Sequence, residues 1–276
     1  MNPKKILAVA KKEFTDNVRN KWLLVLTAIF LVMTVASSIV AGGGEMGEMD
    51  LTVTTLLTLS SMLIPVIAIM LGYGTIAGEA ESGALSVVLA YPVRRTEVLL
   101  GKFIGLSSVI TASVVGGFGI AGIIISLATK GNEWRGYIIF MLLTILLGVL
   151  YISLSMCFSA ILKRKSTALG GGILVFFWGM IIGTIWIGIY LSTGGSLTEL
   201  YSGRGTFPNW FWVELFLSPQ DGNQTAILLA FGKKEVMGFS FNIPSWVNLG
   251  SIVLSQIVWT ILPLLLAIKF FKRRDI

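Results

Sequence analysis

LTVTTLLTLSSMLIPVIAIMLGYGTIAG, residues 51–78, runs for 28 residues without one Asp, Glu, Lys or Arg. A helix needs roughly 20 apolar residues to cross the hydrocarbon core of a bilayer. A soluble amphipathic helix of that length would carry charge along one face. This stretch has no charged face at all, so lipid is the solvent it is written for. Five more stretches share the property: Trp22–Gly44, Phe103–Thr129, Gly136–Leu162, Ser166–Thr198 and Val236–Ile268. The next longest charge-free run, Ser82–Val93, has only 12 residues and is too short to span. The expected fold is therefore all-α: one polytopic membrane domain over 1–276, with spans at 22–44, 52–78, 103–129, 137–162, 167–191 and 247–270.

Basic residues orient the spans. Sixteen of the 21 Lys and Arg fall in 1–21, 79–102, 163–165 and after Ile268. The other side receives Lys130, Arg135, Arg204, Lys233 and Lys234. Both termini are expected in the cytoplasm of a cell-membrane protein. The positive surplus is then an orientation signal, and no nucleic-acid partner is expected. The apolar run after Lys21 exceeds the 7–15 residues of a secretory signal, so it reads as a retained span.

Several chemistries lack their parts. The chain has no histidine, which removes Ser-His-Asp triads and His-based metal sites. Its single cysteine, Cys157, lies within a span and cannot form an internal disulfide. No Gly-x-x-x-x-Gly-Lys-Ser/Thr phosphate loop occurs, since Gly101–Lys102 and Gly232–Lys233 are followed by Phe and Lys. The chain is not expected to be an enzyme, and no catalytic, metal or cofactor site is expected on it.

Residues 3–21 place Ile6, Ala10, Phe14 and Val18 on one stripe, widened by Leu7 and Val9, with Lys4, Lys5, Lys11, Lys12, Thr15 and Arg19 elsewhere. That pattern suits a helix in the headgroup interface, or one packed on a partner. Residues 79–102 are too long for a turn. Here EAESGALSVVLA should form one short helix ended by Tyr91–Pro92, and a second should start with Thr96 as N-cap and Glu97 in its first turn. An elbow of this kind, fused to two spans, could carry a push from a soluble partner into the bilayer. In the outer segment 192–246, Phe207, Trp210, Phe211 and Trp212 suit an interfacial belt, with short interfacial or re-entrant helices nearby. Asn223 opens an Asn-Gln-Thr sequon, and Gly179 and Gly183 form a GxxxG pair suited to a dimer seam or to packing inside one subunit.

The elbow's string, E-x-E-x-G, an apolar run, a proline, two basic residues and EVLLGK, resembles the cytoplasmic loop of ABC transporter permeases of the type-2 exporter class. The residues that carry it are Glu79, Glu81, Gly83, Pro92, Arg94, Arg95, Glu97, Gly101 and Lys102. KKEFTDNVRNKW, with Lys12, Glu13, Phe14 and Arg19, is similar to the segment before that family's first span, and LSPQDGNQ at 217–224 to its Pro-x-Asp segment. The resemblance implies a transmembrane subunit that dimerises, as a homodimer, beside two copies of an ABC ATP-binding subunit. ATP and Mg²⁺ would then bind the partner. It also implies that 79–102 docks on the ATPase, and that the first and fifth spans, with Gly179 and Gly183, form the dimer seam. Membrane lipids are the remaining partner. The long segment 192–246 departs from the family, which leaves the substrate open.

Three other classes fit less well. An ion-coupled transporter or channel usually keeps a charged residue inside the membrane, and none of the six stretches has one; Ser, Thr, Asn248 and Gln256 are expected to supply the polar lining of the spans. An intramembrane enzyme lacks its catalytic groups. A scaffold or assembly subunit would keep the topology but would need no elbow.

Overall fold

The computed structural model describes residues 1–129, 134–196, 198, 207–232 and 243–274, and the backbone of 235–236 and 239–240. Lys130, Arg204, Lys233 and Lys234, used above for orientation, lie outside the described residues. The elements run α1 (Pro3–Arg19), α2 (Trp22–Ala41), α3 (Met49–Gly72), α4 (Ala77–Glu81), α5 (Ala84–Ala90), α6 (Arg95–Ala128), α7 (Trp134–Ile161) and α8 (Lys165–Ser192). A 3₁₀ turn (Asn209–Val213), α9 (Glu214–Leu217), α10 (Pro219–Ala230) and α11 (Leu249–Arg273) follow. A two-residue antiparallel pair, Glu235–Val236 with Phe239–Ser240, lies between the last two helices. Six helices are long and apolar enough to cross a membrane: α2, α3 with its continuation, α6, α7, α8 and α11.

The α7 helix is the most enclosed, packed against α3, α6, α8, α10 and α11. Phe30, Phe118, Phe140 and Tyr137 join α2, α6 and α7 through ring contacts of 5.1–5.8 Å. The outward sides of α2, α8 and α11 expose Leu24, Val32, Leu174, Ile181, Leu254 and Leu262. Apolar side chains in that position are stable only in lipid or against another membrane protein.

Two expected boundaries shift. The second span does not run unbroken to residue 78: α3 stops at Gly72, and a turn leads into α4. Ser159 of α7 pins that turn, accepting from the N–H of Ile76 and Ala77 at 3.1 and 3.0 Å and donating to the Tyr73 carbonyl at 2.7 Å. The third helix starts at Arg95, well before the apolar run, and continues to Ala128. Its N-cap is Arg94, not Thr96. Glu97 is therefore the N3 residue, and its carboxylate accepts from the Arg94 N–H at 2.9 Å.

Candidate functional site

Both chain ends, the elbow and the start of α6 meet at one end of the bundle, the end rich in Lys and Arg. The α1 helix lies along the first turns of α6. Gly101 and Gly105, one turn apart, let the backbones touch there. A Cβ on Gly105 would lie 2.6 Å from Glu13 Cβ and 2.8 Å from the Ala10 carbonyl. The α1 stripe is thus directed at α6: Ala10 is buried and Phe14 packs on the core, while Leu7 and Val18 stay exposed.

The centre of this junction is a buried cation. Lys102 is 2% exposed, and its ammonium sits 2.6 Å from Glu13 of α1 and 2.5 Å from Glu79 of α4. One lysine therefore ties three elements. A lysine is almost never buried without such partners. A second carboxylate ties the entry of α6 to the entry of α1: Glu97 accepts from the Asn2 N–H at 2.6 Å, and Asn2 is the N-cap of α1. The N–H of Arg94, then that of Asn2, holds the Glu97 carboxyl below its ordinary pKa. Lys5 of α1 donates to the Pro92 carbonyl.

The other chain end is held by guanidinium groups. Arg95 donates to the Phe271 carbonyl at 3.0 Å and to that of Arg274, and lies 5.8 Å from the Phe271 ring centre. Arg274 caps the end of α7, donating to the carbonyls of Ser159, Leu162 and Lys163 at 2.8–3.0 Å.

The expected elbow residues thus divide into two sets. Glu79, Arg95, Glu97 and Lys102 are turned inward and bonded to other elements of this chain. Glu81, Gly83, Pro92 and Arg94 are exposed, with Tyr91 at 68% and Val87 at 65% beside them. The expected single helix over 79–90 is two. It breaks at Ser82–Gly83, where Gly83 takes a φ of +75° that a β-carbon would strain. Leu85, fully buried, fastens α5 to the core beneath this exposed tip. On α1, Glu13 belongs to the ion triad, Lys12 makes an exposed pair with Asp16 at 3.2 Å, and Arg19 is exposed.

Toward the other end, α10 is inserted into the bundle. Gln220 donates to the Ser61 carbonyl of α3 at 3.0 Å, and Gln224 to Ser61 Oγ at 2.7 Å. Asn223 donates to the Leu143 carbonyl of α7 at 2.8 Å and to Gln256 of α11 at 3.3 Å. Asn223 is 2% exposed, so the sequon is a packing residue and not a glycan acceptor. Gly179 and Gly183 face this insertion, Gly179 against Gln220 and Gly183 against Asp221 and Glu214. The close approach they permit is between α8 and the α9–α10 turn of the same subunit; the exposed side of α8 is elsewhere, at Ile173, Leu174, Phe177 and Ile181.

Gln220, Asp221, Glu214 and Tyr151 were not singled out by sequence reasoning. The available signals were the Pro-x-Asp segment, which contains Gln220 and Asp221, and the short re-entrant helices expected in 192–246. Asn248, expected to line the interior, is instead the N-cap of α11, whereas Gln256 is buried against α10.

Comparison with known proteins adds an independent observation. A family model described as ABC-2 family transporter protein matches residues 7–276. Over 277 residues the chain is 32% identical to a protein of Stutzerimonas stutzeri named "Probable ABC transporter permease protein NosY", covering 96% of this chain and 97% of that one. A Pseudomonas aeruginosa protein of the same name is 29% identical over 284 residues, covering 98% and 99%.

Proposed function

This chain belongs to the ABC-2 transporter family as a multi-pass permease subunit, and we propose that it dimerises and is driven by separate ATP-binding subunits docking on residues 81–94. The observation that carries the reading is the division of the elbow. An exposed tip, Glu81–Ala84 with Val87, Tyr91, Pro92 and Arg94, stands on a base locked by Leu85 and by the Glu13–Lys102–Glu79 triad. A tip of mixed charge with apolar Val87 and Tyr91 suits a cleft in a soluble partner, where charges set register and the apolar pair anchors.

In this scheme both termini are cytoplasmic, and ATP with Mg²⁺ binds two copies of the partner, the chain itself carrying no cofactor. The transporter works as an exporter and the second permease is an identical chain. The dimer seam uses the exposed side of α8 with α2 rather than Gly179 and Gly183. The α1 helix rests in the headgroup interface with Leu7 and Val18 toward lipid.

The test uses tagged protein solubilised from its native membrane. Glu81→Lys with Arg94→Glu reverses two exposed charges without touching the triad; replacing Glu79 would confound docking with stability. Wild type is expected to bring down an ATP-binding subunit and ATP hydrolysis, and the double variant to lose both while keeping its thermal stability. Unchanged co-purification and hydrolysis in the variant would overturn the docking site.

A further inference from the structure

The elbow leaves unexplained a second set of buried polar groups, where the α9–α10 turn meets α8. Glu214 and Asp221 converge over Gly183, whose Cβ position is 3.6 Å from Glu214 Oε1 and 3.3 Å from Asp221 Oδ2. The two carboxyls are in hydrogen-bond contact. Glu214 is 6% exposed, and its Oε1 finds no donor among the described residues. One turn along α8, at Gly179, lie Gln220 Oε1 and the Tyr151 hydroxyl. Gln220 is 3% exposed and Tyr151 fully buried, and neither of these atoms has a hydrogen-bond partner among the described residues.

The group is therefore rich in acceptors and short of positive charge. No described lysine or arginine pairs with either carboxyl. The elements packed on α9 and α10 are the 3₁₀ turn, α3, α7, α8 and α11. The titratable groups they turn toward it are Glu214, Asp221 and Tyr151, and α8 contributes glycine backbone.

We propose that Glu214 and Asp221 form a binding site for a single proton, shared between their facing oxygens, which seats the α9–α10 turn on the glycine face of α8. Two carboxylates side by side, Glu214 buried and Asp221 half-buried, cannot both ionise at modest cost. With one proton the contact becomes an O–H···O⁻ bond, among the stronger hydrogen bonds available. Without it two negative charges face each other with no cation, and the turn is pushed off α8. Burial first, then the hydrogen bond to Asp221 and its charge, raises the Glu214 carboxyl, in keeping with a retained proton. The folded state then binds a proton that the unfolded chain has released, so stability falls as pH rises above the ordinary carboxylate range. This inference stands independently of how the elbow docks.

The experiment uses the full chain in nanodiscs of zwitterionic lipid. Thermal unfolding is followed from about pH 5 to about pH 9 for wild type, Glu214→Gln and Asp221→Asn. The wild-type midpoint is expected to fall across this range. Glu214→Gln, which imitates the protonated acid, keeps the low-pH midpoint and loses the fall. Infrared difference spectra at neutral pH should show a protonated carboxylic C=O band in the wild type that Glu214→Gln abolishes. A wild type with no such band overturns the proposal whether or not the variants fold. So does stabilisation of the wild type alone by Ca²⁺, Mg²⁺ or Mn²⁺ at alkaline pH, which would make the pair a metal site.

Discussion

Replacing Lys102 by methionine keeps the length of the side chain and removes the one charge that joins α1, α4 and α6. Taking away one partner of a buried ion pair costs about 3–5 kcal/mol, because a desolvated charge is left behind. Here two carboxylates remain, and their oxygens lie at most about 5 Å apart, since both reach the same ammonium at 2.5 and 2.6 Å. At an effective dielectric constant of about 20 their repulsion is about 3 kcal/mol. Glu79 is 25% and Glu13 12% exposed, so water returns to part of the site and the low end applies, about 3 kcal/mol. Glu79→Gln leaves the Lys102–Glu13 pair intact and removes one charged hydrogen bond at a partly wet position, about 1 kcal/mol. Replacing all three charges together, with Lys102→Met, Glu13→Gln and Glu79→Gln, returns most of the loss, because no uncompensated charge remains. Unfolding followed through the chain's eight tryptophans measures the series. A Lys102→Met loss no larger than that of Glu79→Gln, or a triple variant less stable than Lys102→Met alone, would refute the triad as the fastening of this end.

Gly105→Ala puts a Cβ within 2.8 Å of the Ala10 carbonyl and is expected to cost about 1–3 kcal/mol by lifting α1 from α6; faster proteolysis within residues 3–19 reports it. Asn223→Leu strips the donor from the Leu143 carbonyl and from Gln256, costing about 1–3 kcal/mol. Wild type expressed in a glycosylating host carries no glycan at Asn223, which a mobility shift assay checks. The depressed Glu97 pKa contributes stability that is present above its ordinary value of 4.5 and is lost as pH falls through the folded-state value. Glu97→Gln removes that acid-side dependence, read from unfolding midpoints between neutral and acid pH.

The six spans were legible because lipid imposes a length and an absence of charge that sequence displays directly. The ends of those spans were not. The early start of α6 depends on Glu97 returning to the Arg94 N–H and on Asn2, which comes from another helix. Glu13 and Lys102 are separated by 89 positions, so their pairing is a property of packing, invisible to any local pattern. The GxxxG pair signalled room beside α8, but the room is filled by the side chains of Gln220, Asp221 and Glu214 rather than by a second helix backbone. A short re-entrant helix was expected in 192–246, but its partners were hidden: Gln220 and Asn223 look solvated until the Ser61 carbonyl of α3 and the Leu143 carbonyl of α7 accept from them. For the same reason, a test for charges within the six apolar stretches missed Glu214 and Asp221, which enter the bundle on a segment that does not span.

If the exposed tip docks a driving subunit as proposed, the mixture of charges in 79–102 has a mechanical explanation. A force applied at an exposed tip is transmitted only if the tip is fixed to something stiff. The two sides of the elbow differ in this respect. On one side α6 continues from Arg95 to Ala128 without a break, 34 residues or about 51 Å at about 1.5 Å per residue, longer than the roughly 30 Å core it crosses. On the other, α3 ends at Gly72, and a turn held by the Ser159 hydroxyl and by Lys165 over the Tyr73 ring interrupts the helix before α4. The rod is on the α6 side and the hinge on the α3 side. Lys102 is bonded where the rod leaves the tip, so α1 and α4 must move with α6 as one body. A displacement of Arg94 should therefore tilt α6 with α1 and leave the inner part of α3 in place. Spin-label distances from residue 94 to α1 would stay fixed during ATP turnover while those to α3 change, and the reverse pattern would place the hinge on the wrong side.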